Sequence, residues 1–194
     1  MPFYSESLNN KRSPKEYLRE IWYGALDMVF PPVKRCSICG SKLELDVAGI
    51  CGPCVSRWRI IKEPACTKCG RPLPGGYEYC RDCSNYGHYF VRNRALALYT
   101  GALQEQIREM KYQYNRQLGL ALGEVLGLAA HRQGWVPANA CLVTVPIHGA
   151  RFRQRGYNQG ELLLQGMGAH LHRAALPGDS ISRVSATSAS HTLN

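Results

Sequence analysis

Residues 36–83 read CSICGSKLELDVAGICGPCVSRWRIIKEPACTKCGRPLPGGYEYCRDC, and this stretch decides how the protein folds. The stretch contains four C-x-x-C pairs. These pairs are separated by 11, 11 and 10 residues, and a glycine follows the first and the third pair. A C-x-x-C-G turn brings two thiolates to one metal ion, and two such turns complete a tetrahedral site. The sequence therefore predicts two structural Zn²⁺ sites from four C-x-x-C pairs: Cys36/Cys39, Cys51/Cys54, Cys66/Cys69 and Cys80/Cys83.

The spacing leaves open which pairs share an ion. Sequential sharing joins the first pair with the second and the third with the fourth. A cross-braced arrangement joins the first with the third and the second with the fourth. The glycine after the first turn of each half indicates a tandem duplication, which favours sequential sharing. An iron–sulfur centre is an alternative, whereas catalytic zinc is disfavoured because a closed four-cysteine site has no open coordination position.

The composition is that of a globular, basic protein. The chain has 194 residues, of which 45% are hydrophobic and 20% are charged. No apolar run reaches the roughly 18 residues of a spanning helix, and the N-terminus lacks a signal-peptide pattern. We therefore expect a cytoplasmic protein with no membrane span. The formal net charge of +10 falls to about +6 once eight thiolates bind two Zn²⁺, and a basic surface favours nucleic acid, phosphorylated metabolites or acidic partners.

A helix is predicted before the cysteines. Residues 13–16 (Ser-Pro-Lys-Glu) combine an N-cap, a proline suited to the first helical position and a capping-box glutamate. Apolar residues then recur at helical spacing until a Pro-Pro pair ends the helix. We assign residues 1–32 to this N-terminal helix and residues 33–90 to a double zinc ribbon.

Residues 91–194 alternate predicted strands and helices. Strands are predicted at 94–100 and 141–145, and helices are predicted around Leu103 to Met110, at about 117–133 and at 160–172. The run at 141–145 (Cys-Leu-Val-Thr-Val) is typical of a buried parallel strand, so Cys141 is expected to be a small buried strand residue. The alternation indicates an α/β fold.

A basic loop is predicted after the second strand. Residues 146–159 read PIHGARFRQRGYNQ and contain three arginines at alternate positions, namely Arg151, Arg153 and Arg155. Ligands of open α/β folds bind beyond the carboxyl ends of the strands, and a helix N-terminus with nearby arginines suits an anion. The pattern supports a phosphate or pyrophosphate site and a solvated basic loop about equally. A nucleic-acid contact is a third alternative, because arginine and tyrosine are interleaved.

The chain resembles the ComF/GntX family of phosphoribosyltransferase-like proteins over nearly its whole length. Beside the double ribbon, the resemblance is carried by Phe30-Pro31, Lys111-Tyr112, Val145-Pro146 and Arg155-Gly156-Tyr157-Asn158-Gln159. It implies a type I phosphoribosyltransferase fold, in which a mostly parallel sheet with flanking helices binds phosphoribosyl pyrophosphate (PRPP) with Mg²⁺. It also implies a link to DNA uptake in natural competence and to the use of DNA as a nutrient.

The resemblance also implies which residues lie near the pyrophosphate: Arg151, Arg155, Gly156, Asn158 and Gln159, with Lys111 as a further candidate. The family continues with an acidic strand end and a T-T-G-x-T loop for the ribose 5-phosphate, and residues 179–194 carry neither. We therefore interpret residues 91–194 as a partial phosphoribosyltransferase-like domain, incomplete at the C-terminus. Negligible transferase activity is expected, and Mg²⁺ with PRPP is expected only in complete relatives.

Two other hypotheses stay open. The first is a non-catalytic accessory that binds single-stranded DNA or the DNA-uptake machinery through the ribbons and the basic loop. The second is a truncated remnant that folds poorly, because a parallel sheet without its later strands leaves an edge unpaired. No catalytic residue is identified from the sequence.

Overall fold

The computed structural model describes residue 22 and residues 34–43, 48–178 and 180–185. Of the predicted N-terminal helix, only Trp22 lies within the described residues, and its backbone is helical. Six helices are fully described: α1 (Gly52–Val55), α2 (Arg81–Asn85), α3 (Gly101–Tyr112), α4 (Arg116–Arg132), α5 (Gly149–Arg155) and α6 (Gln159–Leu171).

Extended segments of the described residues pair through single-residue bridges. The bridges are Arg35 with Lys42, Ala65 with Pro72 and Ile60 with Ala97, all antiparallel, and Leu142 with Ala175, which is parallel. The predicted type I phosphoribosyltransferase-like parallel sheet is therefore not confirmed. The double ribbon and a mixed, largely helical second half are what the described residues contain.

Both predicted strands differ from expectation. Residues 94–100 pair with the first ribbon, through the bridge between Ile60 and Ala97, and not with a parallel neighbour. In the run at 141–145, Cys141 is exposed and Val145 is 79% exposed, so the prediction of a buried strand there is wrong. The physical reason is that one bridge, at Leu142, is the whole pairing of this run among the described residues, so Cys141, Val143 and Val145 stay exposed.

The helix predictions correspond to α3, α4 and α6, whereas α1, α2 and α5 lie in segments that the sequence predicts as loops. The basic segment forms α5, which begins after His148, whose Nδ1 accepts a hydrogen bond from the N–H of Ala150 at 3.2 Å. It ends at Gly156, which has a φ of 71° that favours glycine. Arginines at alternate positions carry no helical periodicity, and so the pattern predicted a loop.

The hydrophobic core is shared between the first ribbon and the helices. Its buried residues come from the first ribbon, from α3 and from α4: Cys36, Leu43, Ile50, Cys51, Cys54, Trp58, Met110, Leu118, Ala121 and Leu122. Leu118 is fully buried at the start of α4. The cysteine region is therefore not an appended module, because half of it packs into the same core as the helices.

Helices α4 and α6 pack against each other through glycines. A Cβ atom at Gly123 of α4 would lie 2.3 Å from the carbonyl oxygen of Leu163, and one at Gly166 of α6 would lie 2.2 Å from the carbonyl oxygen of Leu120. The two backbones therefore approach so closely that a side chain does not fit between them. None of the described helices is long and apolar enough to cross a membrane.

Gly123→Ala should destabilise the fold. The added methyl group meets the Leu163 backbone, which cannot move as a flexible side chain would, so we expect a loss of about 1–3 kcal/mol in the free energy of unfolding. Urea unfolding of the zinc-loaded protein, followed by far-UV circular dichroism, measures this change.

Gly168→Ala is the matched control on α6. No atom lies within 4 Å of a Cβ at Gly168, and alanine favours helix over glycine by up to about 1 kcal/mol. This variant should be as stable as the parent or more stable. Equal losses in the two variants would contradict the close packing of α4 against α6.

Candidate metal centres and anion site

Four cysteine sulfurs converge in the first ribbon (residues 34–60). The first site is formed by Cys36, Cys39, Cys51 and Cys54, and their sulfurs all lie within 4.8 Å of one another. The sulfurs of Cys39 and Cys51 are 3.6 Å apart, and the N–H of Cys51 donates to the sulfur of Cys36 at 3.4 Å. Gly40, with a φ of 71°, closes the first turn by donating to the carbonyl of Cys36.

The second ribbon (residues 64–90) repeats this construction. The second site is formed by Cys66, Cys69, Cys80 and Cys83, again with all sulfurs within 4.8 Å. The sulfurs of Cys69 and Cys80 are 3.7 Å apart, and the N–H of Cys80 donates to the sulfur of Cys66 at 3.4 Å. Gly70 has a φ of 74° and donates to the carbonyl of Cys66. The predicted duplication is thus present in the backbone as well as in the spacing.

The grouping of the sulfurs follows the sequential arrangement and not the cross-braced one. Four sulfurs about 2.3 Å from a tetrahedral Zn²⁺ lie about 3.8 Å from one another. The two closest sulfur pairs, at 3.6 and 3.7 Å, fit that geometry. The donor set and its spacing are therefore compatible with one structural zinc ion in each ribbon.

The ionisation of the thiols shows why a cation fits these sites. The hydroxyl oxygen of Ser41 lies 3.1 Å from the sulfur of Cys39 and lowers the pKa of this thiol to about 6. Burial and the neighbouring thiols raise the pKa of Cys54 to about 12, and the same causes raise the pKa of Cys83 to about 12. Four adjacent thiolates repel one another, so all of them ionise only when a cation lies among them.

The junction between α5 and α6 contains most of the predicted anion-binding residues. Gly156 ends α5, and Asn158 then caps the 13-residue helix α6 by accepting from the N–H of Gly160 at 3.0 Å. The Asn158 amide also donates to the carbonyl of Val145 at 3.3 Å, which ties the end of the 141–145 run to the start of α6. The N-terminus of α6 is thus held where the sequence predicted it, beyond the end of an extended segment.

Three predicted residues, Lys111, Arg155 and Gln159, come together at this junction, which we call the anion site. Arg155 donates to the side-chain oxygen of Gln159 at 3.0 Å. Burial, followed by the charge of Arg155, lowers the pKa of Lys111. Gln159 is 8% exposed, and its side-chain nitrogen has no hydrogen-bond partner. A buried amide donor without an acceptor is costly, and an anion between these groups would satisfy it.

Aromatic rings hold the cations of the anion site. The guanidinium of Arg155 lies 5.5 Å from the ring centroid of Tyr112, and that of Arg116 lies 5.3 Å from the ring centroid of Tyr157. Tyr157 is buried, and its hydroxyl donates to the carbonyl of Met110. Within the described part of the chain, Lys111, Arg116 and Arg155 form no salt bridge with a carboxylate.

The other predicted residues have different positions. Arg151 lies one turn before Arg155 on α5, and Gly156 and Asn158 shape the backbone around the site. Arg116 was not predicted, because it belongs to no motif in the sequence. It begins α4, across a turn from Lys111 at the end of α3. Arg153, on the same helix as Arg151 and Arg155, is exposed, whereas the residues that follow Arg155 at 157–159 are buried.

Comparisons with known proteins agree with the ribbon geometry. The family model of the double zinc ribbon domain matches residues 25–84. The chain is 30% identical to the DNA utilization protein YhgH of Salmonella typhi over 166 residues, covering 82% of this chain and 70% of that relative. It is 28% identical to competence protein F of Haemophilus influenzae, covering 68% and 58%, and 23% identical to competence protein ComFC of Bacillus subtilis, covering 67% and 60%. No solved structure matches the chain.

The purified chain should contain two zinc ions, and paired substitutions should reveal how they are shared. Cys36→Ser with Cys51→Ser removes two ligands of the first site and should leave one zinc ion per chain. Cys36→Ser with Cys66→Ser damages both sites and should leave none. Atomic absorption of gel-filtered protein measures the zinc content.

Cys141→Ser is the control, because Cys141 is exposed and belongs to neither group of sulfurs, and this variant should keep both ions. A cross-braced protein would give the opposite results for the two paired substitutions. Iron in place of zinc in the same assay would favour the iron–sulfur alternative.

Proposed function

Because the chain belongs to the ComF family of double-zinc-ribbon proteins, we propose that it acts in the uptake or use of external DNA and binds a pyrophosphate-bearing ligand, PRPP or a related compound, at the anion site. The DNA-linked part of the proposal rests on relatives named for DNA utilization and competence. The ligand part rests on the chain's own residues. The expectation of negligible transferase activity stays a prediction.

The single observation that carries the ligand proposal is the unpartnered side-chain nitrogen of Gln159. It is buried in the first turn of a 13-residue helix, where the backbone N–H groups of Gly160, Glu161 and Leu162 already donate to Asn158 and leave this side-chain donor as the one without an acceptor. Arg155 is fixed beside it through the oxygen of the same side chain. A diphosphate supplies acceptors for the Gln159 amide and the Arg155 guanidinium. A solvated basic loop would not need a buried donor of this kind.

The chemistry of the site is that of anion binding and positioning. Arg155 and Lys111 neutralise negative charge, and the side-chain amide of Gln159 donates a hydrogen bond. Tyr112 limits the movement of Arg155, so less conformational entropy is lost when the ligand binds. When bound, PRPP would carry the reactive ribose carbon, and these residues would orient its leaving group.

Arg155→Ala should weaken pyrophosphate binding about tenfold or more, because it removes a charge-assisted hydrogen-bond donor worth at least about 1.4 kcal/mol. Isothermal titration with inorganic pyrophosphate and with PRPP, each with and without Mg²⁺, measures the dissociation constants.

Arg153→Ala is the matched control on the same helix, because Arg153 is exposed and its substitution removes the same net charge. Affinity should change less than twofold in this variant. If the parent protein binds neither compound, or if both variants lose affinity equally, the ligand proposal is wrong. Complementation of a deletion strain of the parent organism, assayed by growth on DNA, tests the DNA-linked part separately.

A second candidate function is binding of single-stranded DNA, and the surface of the second ribbon favours it. We call its exposed aromatic residues the aromatic face: Tyr77, Tyr79, Tyr86, Tyr89 and Phe90. The hydrogen bond from Thr67 to Glu78 and the contact of Lys68 with Phe90, 5.6 Å from the ring centroid, place the neighbours of Glu78 and the ring of Phe90 beside the Cys66–Cys69 turn. Exposed rings beside cations are typical of single-strand binding surfaces, because any base can stack on them.

Tyr89→Ala with Phe90→Ala should weaken binding of a fluorescent oligo-dT about tenfold or more, since each stacked base contributes about 1–3 kcal/mol. Fluorescence anisotropy at several salt concentrations gives the affinity and the number of ionic contacts. Tyr99→Ala is the control, because Tyr99 is half exposed but lies outside the second ribbon. If binding is lost instead when Arg151, Arg153 and Arg155 become alanine, the basic segment is the contact and the aromatic face is not.

A further inference from the structure

The two zinc sites have different surroundings despite their repeated construction. Three ligands of the first site, Cys36, Cys51 and Cys54, belong to the same buried cluster as Met110 and Leu118 of the helices. The buried ligands of the second site, Cys66 and Cys80, lie outside that cluster. Loss of metal from the first site therefore disturbs the main core, whereas loss from the second site does not reach it directly.

Trp58 connects the first ribbon to α3. Its indole N–H donates to the side-chain oxygen of Gln106 at 2.8 Å, and both residues are buried. The backbone adds a second connection just before α3, because Leu98 donates to the carbonyl of Arg59 at 2.9 Å. The position of α3 thus depends on the ribbon through a buried hydrogen bond and a short antiparallel pairing.

The other end of α3 supports the anion site. Met110, one turn after Gln106 and therefore on the same side of the helix, accepts the hydrogen bond from the hydroxyl of Tyr157. Tyr157 directly precedes Asn158, the cap of α6, and Met110 directly precedes Lys111. A shift of α3 therefore moves Lys111 and loosens the start of α6 together.

We propose that zinc in the first site controls the anion site through Trp58, α3 and Tyr157, and that zinc in the second site does not. Without metal, the four sulfurs of the first site no longer cross-link its two turns, and Trp58 loses its fixed position against α3. The second ribbon has its own hydrogen bonds, from Asn93 to Lys68 and from Arg94 to Thr67, which join its cysteine turn to the segment before α3 and do not reach α3 itself. The ligand in this inference rests on the proposed function, but the coupling between the ribbon and the start of α6 does not.

The duplication supplies a matched pair of variants for the test. Cys36→Ser and Cys66→Ser change equivalent buried ligands, at 3% and 0% exposure, in the first and second site. We expect Cys36→Ser to raise amide hydrogen exchange at 106–111 and 157–160 at least tenfold and to weaken pyrophosphate binding at least tenfold. Cys66→Ser should change both quantities less than twofold at those positions. Equal responses in the two variants, or no response to Cys36→Ser, would overturn the coupling.

A second variant covers the case in which Cys36→Ser does not fold. Trp58→Phe keeps both groups of cysteines and an apolar ring in the core, but it removes the donor to Gln106. Zinc content should stay at two ions, while hydrogen exchange at 157–160 should rise at least threefold. Trp135→Phe, beyond the end of α4, should leave that exchange unchanged. A parent protein that does not bind pyrophosphate would overturn the proposed ligand alone, whereas unchanged exchange in Trp58→Phe would overturn the coupling.

Discussion

Each ribbon depends on four sulfur atoms held so close together that their charges repel unless a cation lies among them. This constraint explains the construction around the sites, in which glycine closes the tight turn and a backbone N–H points at a sulfur. Few apolar residues would be needed to stabilise such a ribbon alone. The first ribbon nevertheless packs Leu43, Ile50 and Trp58 into the core of the helices, so metal binding and helix packing stabilise one another there.

The duplicated ribbons have diverged in what surrounds them. The first contributes to the core and lies against α3 and α4, while the second carries exposed aromatic rings around its cysteine turn. The same metal-binding scaffold thus supports a buried face in one copy and an accessible face in the other. The first copy therefore belongs to the core that positions α3, whereas the second presents aromatic rings to solvent.

The anion site illustrates how much of a site a motif can predict. The R-G-Y-N-Q run predicted that Arg155 and Gln159 lie near an anion, and the structure brings both to the start of α6 with Lys111. Gly156 ends α5 and Asn158 caps α6, so both residues also shape the backbone at this site. Arg116 was not predicted, because its position beside Tyr157 arises from the packing of α4 and not from local spacing.

The sequence by itself determined the cysteine pairs, the tandem duplication and the helices α3, α4 and α6, since these depend on local spacing and periodicity. The tandem pattern favoured sequential sharing of the metal, but only the tertiary structure decided which pairs converge, because the spacing of the pairs allows both arrangements. It also decided that residues 94–100 pair with the first ribbon and that the 141–145 run is exposed. An apolar run specifies a tendency to be buried, but its burial depends on neighbours supplied by distant parts of the chain.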